Sequence, residues 1–164
     1  YIMSDNIICN NGCCVLKTSL YDTSVPVNDE DKYGKRKAGI LLYDKTKECV
    51  LLVQSRGNLW GIPKGTLDDT ESITEGAVRE VIEETGIIID KNELETYLEI
   101  DDICSYFFLE YEKCEVEIQT QIKGNDANSV GWVNTKCLKT LVVDNKIKLT
   151  SHTKIILKTF LGFY

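Results

Sequence analysis

The length, composition and charge of the chain place it among single-domain globular proteins. Its 164 residues are 43% hydrophobic and 27% charged, which excludes a disordered chain and allows a buried core. No apolar run is long enough to span a membrane, and the polar start YIMSDN lacks the pattern of a signal peptide. We therefore expect a cytosolic protein, in the host cytoplasm if the source is a virus. The net charge of −7 opposes indiscriminate binding to nucleic acid.

Positive charge is nevertheless concentrated in two short regions. Such groups are either solvated lysines or a track for a polyanion, and the sequence leaves both readings open. One group precedes the first strong apolar run and the other lies in the C-terminal 28 residues: Lys32, Lys35, Arg36 and Lys37, then Lys139, Lys146, Lys148, Lys154 and Lys158.

The seven cysteines are predicted to be reduced. An odd count without an export signal argues against a disulfide framework. The cluster CNNGCC suggests zinc, but the chain has no CxxC pair and its only histidine, His152, is distant in sequence. Free cysteines in an N-terminal hairpin are therefore the favoured interpretation, and a structural metal is the lesser one.

The order of the predicted elements indicates an α/β sandwich. After a polar connection over residues 24–37, β-branched and apolar residues predict strands at 38–44 and 49–55. The glycine-rich RGNLWGIPKGTLDDTE is predicted to be a loop. Further strands are predicted in LETYLEI, CSYFFLEYE, EVEIQTQI and VGWVN. A short helix follows VGWVN, and a final helix begins near Ser151.

A central helix is predicted over residues 72–85, and it carries three glutamates on one face. Ser72 and Glu75 form a capping-box pattern, and Gly86 occupies the position of a C-terminal cap. Within REVIEETG, positions 80, 83 and 84 are spaced i, i+3 and i+4, while Val78, Val81 and Ile82 are predicted to point into the core. Carboxylates this close either form a solvated face or share a cation, and hard oxygen ligands suit Mg²⁺ or Mn²⁺.

The spacing of residues around this helix resembles the signature of the Nudix hydrolases. The pattern G-x5-E-x7-R-E-V-x-E-E-x-G-I is matched without a gap from Gly65 to Ile87. Seven fixed residues recur by chance about once in 10⁸ windows, at roughly one in 15 each. The resemblance covers roughly residues 36–160 and implies an α/β/α sandwich with a mixed central sheet. It predicts a Nudix hydrolase domain over 36–164, after an N-terminal extension of residues 1–35.

The same resemblance implies roles for individual residues. The metal ligands would be the backbone carbonyl of Gly65 and the carboxylates of Glu80, Glu83 and Glu84, with Mg²⁺ or Mn²⁺ as cofactor. Arg79 would orient these carboxylates by pairing with a glutamate such as Glu71 or Glu83.

The general base is left open among three carboxylates. The family takes it from the signature glutamates, here Glu83 or Glu84, or from a loop six positions before the strand tryptophan. Counting back from Trp132 gives Asp126, where the family more often has the longer glutamate.

The WGIPKG element resembles the mRNA-decapping Nudix enzymes of eukaryotes and large DNA viruses. This implies hydrolysis of the mRNA 5′ cap with release of methylated GDP, with Lys64 and Arg56 contacting phosphate and capped RNA as the partner. Trp60 is expected to pack beneath the loop. The candidates for stacking on the methylated guanine are aromatic residues that the sequence does not rank: Tyr33, Tyr43, Tyr106, Phe107 and Phe108.

Two other functions remain in competition with decapping. One is a small-molecule pyrophosphatase for nucleotides, dinucleoside polyphosphates or diphosphoinositol polyphosphates. The other is a non-catalytic Nudix binding module, against which the intact set of three glutamates argues. The separate helical regulatory domain of the decapping enzyme is not evident in residues 1–35, which weakens the cap interpretation.

Overall fold

The computed structural model describes residues 6–18, 34–54, 58–119 and 127–163. Besides a 3₁₀ turn at Lys91–Glu93, the elements in chain order are β1 (Ile7–Ile8), β2 (Val15–Thr18), β3 (Lys37–Asp44), β4 (Cys49–Gln54), β5 (Leu59–Gly61), β6 (Lys64–Thr66), α1 (Ile73–Thr85), β7 (Tyr97–Ile100), β8 (Cys104–Glu110), β9 (Ser129–Asn134), α2 (Thr135–Val143), β10 (Lys148–Leu149) and α3 (Ser151–Leu161).

The strands form a mixed sheet in the order β1-β2-β9-β4-β3-β8-β7. The central pair β3 and β8 is parallel, whereas the other neighbours along this path are antiparallel. Short strands branch from the path: β6 pairs with β3, β5 with β4, and β10 with β5. The predicted N-terminal extension contributes directly to the sheet, because Lys17 of β2 pairs with Val130 of β9.

Helices cover both faces of this sheet. Ala77 and Val81 of α1 are fully buried in the core on one face. Leu138 of α2 and Leu157 of α3 are fully buried in the core on the other. The predicted α/β/α sandwich with a mixed central sheet is therefore confirmed.

The prediction of the glutamate helix is also confirmed, with one adjustment to its apolar face. Ser72 accepts from the Glu75 backbone and Glu75 accepts from the Ser72 backbone, so both halves of the capping box are present. Gly86 ends the helix at φ 79°, a left-handed conformation that glycine adopts without strain. Val78 and Ile82 are only half-buried, so the buried stripe is narrower than predicted.

Two predicted stretches differ from the structure. The stretch predicted as a loop before α1 contains two short strands, β5 and β6. The strand predicted in EVEIQTQI is wrong for residues 115–119, which form no strand; residues 120–122 lie outside the described part. Lys17 holds residues 115–119 in place, because its Nζ donates to the Val116 carbonyl at 3.0 Å and forms an ion pair with Glu117. The attachment is through a side chain rather than a backbone ladder.

The cysteines are reduced, as predicted, and the CNNGCC cluster lies in the β1–β2 hairpin. Among the described helices, none is long and apolar enough to cross a membrane.

Candidate active site

The backbone of the WGIPKG segment is held in place by hydrogen bonds to the start of α3 and to β3. The Thr150 N–H donates to the Trp60 carbonyl at 2.9 Å. The Ile62 N–H donates to Oγ1 of Thr153 at 3.3 Å, and the Ile40 N–H donates to the Pro63 carbonyl at 3.1 Å. Trp60 is 1% exposed, which confirms that it packs beneath the segment. The segment therefore presents Lys64 and Gly65 from a fixed backbone.

Gly65 lies directly against a carboxylate of α1. A Cβ added at this position would overlap with the carboxyl group of Glu80. Glu80 is 8% exposed and comes from the middle of the helix. Only glycine allows the β6 backbone and this carboxylate to approach so closely.

Glu84 faces the same segment one helical turn later. It is 2% exposed, and its Oε2 accepts the backbone N–H of Lys64 at 3.1 Å. This hydrogen bond fixes Lys64 beside the glutamate face of α1. Glu80 and Glu84 are therefore buried against the β6 edge rather than solvated, unlike the surface glutamates of an ordinary helix.

Arg79 joins the remaining carboxylates into one network. Its Nε donates to Oε1 of Glu71 at 2.6 Å and its Nη2 to Oε2 of the same residue at 3.1 Å. Its Nη1 lies 3.1 and 3.2 Å from the two oxygens of Glu83 and 3.0 Å from Oε1 of Glu80. The Nη2 group also donates to the Thr66 carbonyl at 2.9 Å, which ties the network to β6.

These contacts shift the ionisation of both members of the Arg79–Glu71 pair. The hydrogen bond from Arg79 lowers the pKa of Glu71 below its ordinary value. The hydrogen bond to Glu71 is the largest cause that raises the pKa of Arg79, and the nearby Glu80 and Glu83 add to it. Arg79 is therefore permanently charged and Glu71 is ionised at neutral pH, so the pair is a fixed element of the site.

The arrangement fits a divalent cation. Glu80, Glu83 and Glu84 leave the same helix within one and a half turns, and Gly65 of β6 lies directly against the Glu80 carboxylate. Carboxylate and carbonyl oxygens are the ligands that Mg²⁺ and Mn²⁺ prefer. The oxygens offered by this helix face therefore match the ligand set of such an ion.

Four of the residues named from the sequence lie outside the described part of the chain: the phosphate-contact candidate Arg56, the base candidate Asp126, the aromatic Tyr33 and Lys32 of the first basic group. The structure brings the other site residues together on α1 and β6. It also adds contributors that the sequence did not indicate, namely the Thr66 carbonyl and the hydroxyl of Thr153. No sequence signal marks them. Thr66 acts through its backbone carbonyl, and Thr153 supports the backbone of a segment that is distant in sequence.

The described aromatic candidates do not lie open beside the site. Tyr106 is fully buried, and its hydroxyl is hydrogen-bonded to Nδ1 of His152 at 2.8 Å. Phe107 is 2% exposed in the core beneath α1. The ring of Phe108 stacks on that of Phe160, with 5.3 Å between the ring centroids. The ring centroid of Tyr43 lies 6.2 Å from that of Phe108, and Tyr43 is at the end of β3 that is remote from Lys64. Tyr106 and Phe107 are therefore excluded as stacking residues in this conformation.

The NUDIX domain family matches residues 34–152, which is more than half of the chain. The chain belongs to the Nudix family. A viral relative named "Putative hydrolase 111R", from Invertebrate iridescent virus 3, is 30% identical over 136 residues, which cover 81% of this chain and 79% of that protein. The Nudix chain is a hydrolase of pyrophosphate bonds, as predicted.

Two further similarities concern the signature region and the fold. The m7GpppN-mRNA hydrolase dcap-2 of Caenorhabditis elegans is 43% identical over 51 residues, which cover 29% of this Nudix chain but only 6% of that protein. A bifunctional NMN adenylyltransferase/ADP ribose pyrophosphatase from Francisella tularensis, solved with AMP and a manganese ion, aligns with a TM-score of 0.57 and 21% identity. That alignment covers 79% of this chain and 41% of that one, and it shows a shared fold.

Proposed function

We propose that this Nudix hydrolase cleaves the 5′ cap of RNA and releases methylated GDP, using Mg²⁺ or Mn²⁺. The observation that carries the proposal is the hydrogen bond between the Lys64 backbone and Glu84. It fixes a lysine between the proline and the glycine of WGIPKG, next to the carboxylates that would hold the metal. A cap contains three linked phosphates, and an ammonium group placed there is a point charge for them.

Glu80, Glu83 and Glu84, with the Gly65 carbonyl, are the proposed metal ligands. The bound ion would neutralise phosphate charge and make a coordinated water more acidic. Arg79 is the proposed positioning residue, since it contacts Glu80 and Glu83 while Glu71 holds its other side. The fork of donors on arginine matches this task better than a lysine ammonium would.

The proton of the attacking water would pass to a carboxylate of Glu83, Glu84 or Asp126. Glu83 is half-buried with its two oxygens on Arg79, whereas Glu84 is almost fully buried against Lys64. A general base contributes about 10²- to 10⁴-fold to the rate. The three candidates are separated by comparing Glu83→Gln, Glu84→Gln and Asp126→Asn over a range of pH at saturating metal.

The capped substrate is supported by the distribution of lysines around α3. Lys154 and Lys158 are exposed and spaced i, i+4, so they share one face of that helix. Thr153, their neighbour, contacts Ile62 of WGIPKG. Lys148 lies on β10, which pairs with β5 at the start of the same segment. A chain of RNA leaving the site would meet these cations, whereas a small nucleotide would not need them.

The test incubates the full chain with Mg²⁺ or Mn²⁺ and one of three substrates. These are cap-labelled RNA, the free cap dinucleotide, and a panel of nucleotides, dinucleoside polyphosphates and diphosphoinositol polyphosphates. We expect methylated GDP from the RNA and much slower turnover of the others. Glu84→Gln should lose about 100-fold or more of the activity. Glu95→Gln, an exposed glutamate outside the network, is the matched control.

Each alternative has its own outcome. Turnover of free nucleotides alone would reject the cap and support the small-molecule pyrophosphatase. Hydrolysis of no substrate, together with RNA binding that is equal in wild type and Glu84→Gln, would support the binding module.

A further inference from the structure

Four cysteines that are separated in sequence meet at the end of the N-terminal hairpin. The four-cysteine cluster consists of Cys9, Cys13, Cys14 and Cys137, and its sulfur atoms all lie within 4.8 Å of one another. Three of them come from the turn between β1 and β2, and Cys137 comes from the first turn of α2. Three of the four side chains are buried, and the exposed Cys13 provides access from solvent.

The spacing of the sulfur atoms is that of metal ligands rather than of disulfides. Sγ of Cys13 lies 3.5 Å from that of Cys9, and 3.6 Å from those of Cys14 and Cys137. A tetrahedron of sulfurs at the Zn–S distance of about 2.3 Å has edges of about 3.8 Å. A disulfide has an S–S length of about 2.05 Å. Three of the six sulfur–sulfur distances are thus close to the edge of such a tetrahedron, and the other three do not exceed 4.8 Å.

Hydrogen-bond donors point at the sulfur atoms. The backbone N–H of Cys14 donates to Sγ of Cys9 at 3.4 Å, and that of Asn134 donates to Sγ of Cys14 at 3.3 Å. The side-chain amide of Asn11 lies 3.9 Å from Sγ of Cys137. Such outer hydrogen bonds orient metal ligands and stabilise the charge of thiolates. Both the spacing of the sulfur atoms and the donors around them therefore suit a metal site.

The local structure also prepares the cluster. Gly12 has a φ of 71°, a left-handed conformation that lets the chain turn between Cys9 and Cys13. Cys137 lies in the first turn of α2, where the helix dipole favours a negatively charged group. The turn at Gly12 brings the hairpin cysteines together without backbone strain, and the helix dipole stabilises a thiolate at Cys137.

We propose that the four-cysteine cluster binds one Zn²⁺ ion, which fastens the N-terminal hairpin to α2. Each S–H bond would break, its proton would pass to solvent, and a Zn–S bond would form without any change of oxidation state. Four thiolates and the ion give the site a net charge of −2. Soft thiolates select zinc over the Mg²⁺ and Mn²⁺ that suit the carboxylates of α1. This inference does not depend on the substrate proposed above.

Such a site would be structural. All four positions are filled by protein ligands, which leaves no open position for water or substrate. The link joins residues 124 positions apart, Cys13 and Cys137, across the edge where β2 meets β9. Since β1 spans only Ile7–Ile8, the hairpin has little backbone pairing of its own, and the metal would contribute to its folding.

The first test measures zinc and iron by mass spectrometry of the full chain purified under reducing conditions. We expect about one zinc per chain in the wild type and at least fivefold less in Cys137→Ser. Cys114→Ser, an exposed cysteine outside the cluster, is the control and should keep its zinc. Equal zinc in the wild type and Cys137→Ser, or iron in place of zinc, would overturn the proposal.

The second test uses only the wild type and so decides the matter if Cys137→Ser fails to fold. The chain is depleted of metal and titrated with Co²⁺, which gives strong thiolate-to-cobalt charge-transfer absorption at a tetrathiolate site. Added Zn²⁺ should abolish that absorption and raise the Tm, whereas Mg²⁺ should do neither. Absence of the absorption, or a disulfide between cluster cysteines in the protein purified with reductant, would reject the site.

Discussion

Nε of Arg79 lies 2.6 Å from Oε1 of Glu71, and the other side of the same guanidinium contacts Glu83 and Glu80. Arg79 is thus shared between a carboxylate with no proposed metal contact and two proposed ligands. We infer that the balance between these partners sets how freely Glu80 and Glu83 can turn towards a cation.

The first prediction follows from this balance. Glu71→Gln removes the charge that holds Arg79, so Arg79 is drawn more strongly to Glu80 and Glu83 and competes with the metal. We expect the Mg²⁺ concentration for half-maximal activity to rise about 10- to 100-fold, with a smaller change in kcat at saturating metal. Glu75→Gln is the matched control, because glutamine keeps the capping box and Glu75 contacts Lys91 instead. An equal change in both variants would contradict a positioning role for Arg79 and Glu71.

The second prediction concerns the close approach at Gly65. Gly65→Ala places a methyl group where the Glu80 carboxylate lies, so that carboxylate must move. We expect loss of about 100-fold or more of the metal-dependent activity, while the circular dichroism spectrum is retained. In the control, Gly162→Ala, the added methyl meets nothing within 4 Å, although the φ of 63° makes this position unfavourable for alanine. That variant should be less stable than wild type but should keep its metal-dependent activity. Full activity of Gly65→Ala would contradict the metal-ligand assignment.

The third prediction tests the support of WGIPKG by α3. Thr153→Val removes the acceptor of the buried Ile62 N–H, so this donor is left without its partner. We expect the free energy of unfolding to fall by about 1–3 kcal/mol, measured by urea denaturation. Thr159→Val makes the same change at an exposed position of the same helix and should cost less than about 0.5 kcal/mol. Equal losses would show that helix propensity, not the hydrogen bond, is the cause.

The fourth prediction distinguishes an RNA substrate from a small one. The double variant Lys154→Gln, Lys158→Gln should raise the KM for capped RNA and leave turnover of the free cap dinucleotide unchanged. Its RNA affinity should also depend less on salt, with the slope of log K against log[salt] reduced by about 1.4 for a single strand.

The control for that experiment changes the charge equally elsewhere. Lys45→Gln, Lys47→Gln lies in the β3–β4 turn, five or more residues along β3 from its pairing with β6. That separation corresponds to about 17 Å of extended strand. If the control weakens RNA binding as much as the α3 variant, the track along α3 is rejected.

The fifth prediction is a pH dependence of stability. Oδ2 of Asp44 accepts the Lys113 N–H at 2.8 Å and Oδ1 accepts the Lys47 N–H at 2.9 Å. These hydrogen bonds, the Lys113 bond first, lower the pKa of Asp44 below its ordinary value of 3.8. The folded state therefore binds this proton less readily than the unfolded state. The stabilisation is present above the unfolded pKa and is lost as pH falls through the folded pKa.

Asp44→Asn should accordingly destabilise the protein at neutral pH, and its difference from wild type should shrink as the pH falls below about 3.8. Urea denaturation at a series of pH values measures this. Asp69→Asn, the same change at an exposed position, is the matched control. A constant difference between wild type and Asp44→Asn would mean that packing, rather than ionisation, is responsible.

The sequence by itself determined the family, the helix that carries the glutamates and the layered fold. These follow from local rules: i, i+3 and i+4 spacing, a capping box at Ser72, a glycine at the helix end and apolar strands. Local rules failed at β5 and β6 because strands of three residues are made by pairing with distant partners rather than by propensity. The prediction of a strand at 115–119 was wrong for a related reason, since these residues have a strand-like pattern but pair with no neighbouring strand.

Only the tertiary structure decided which distant residues share a site. It brought Cys137 to the hairpin cysteines, whereas a search for a CxxC pair had no means of joining residues 124 positions apart. It buried Tyr106 and Phe107, which are indistinguishable in sequence from accessible aromatics. It also set Gly65 against Glu80. The physical reason is that spacing along the chain fixes which side chains share a face, while the packing of the faces decides what each of them meets.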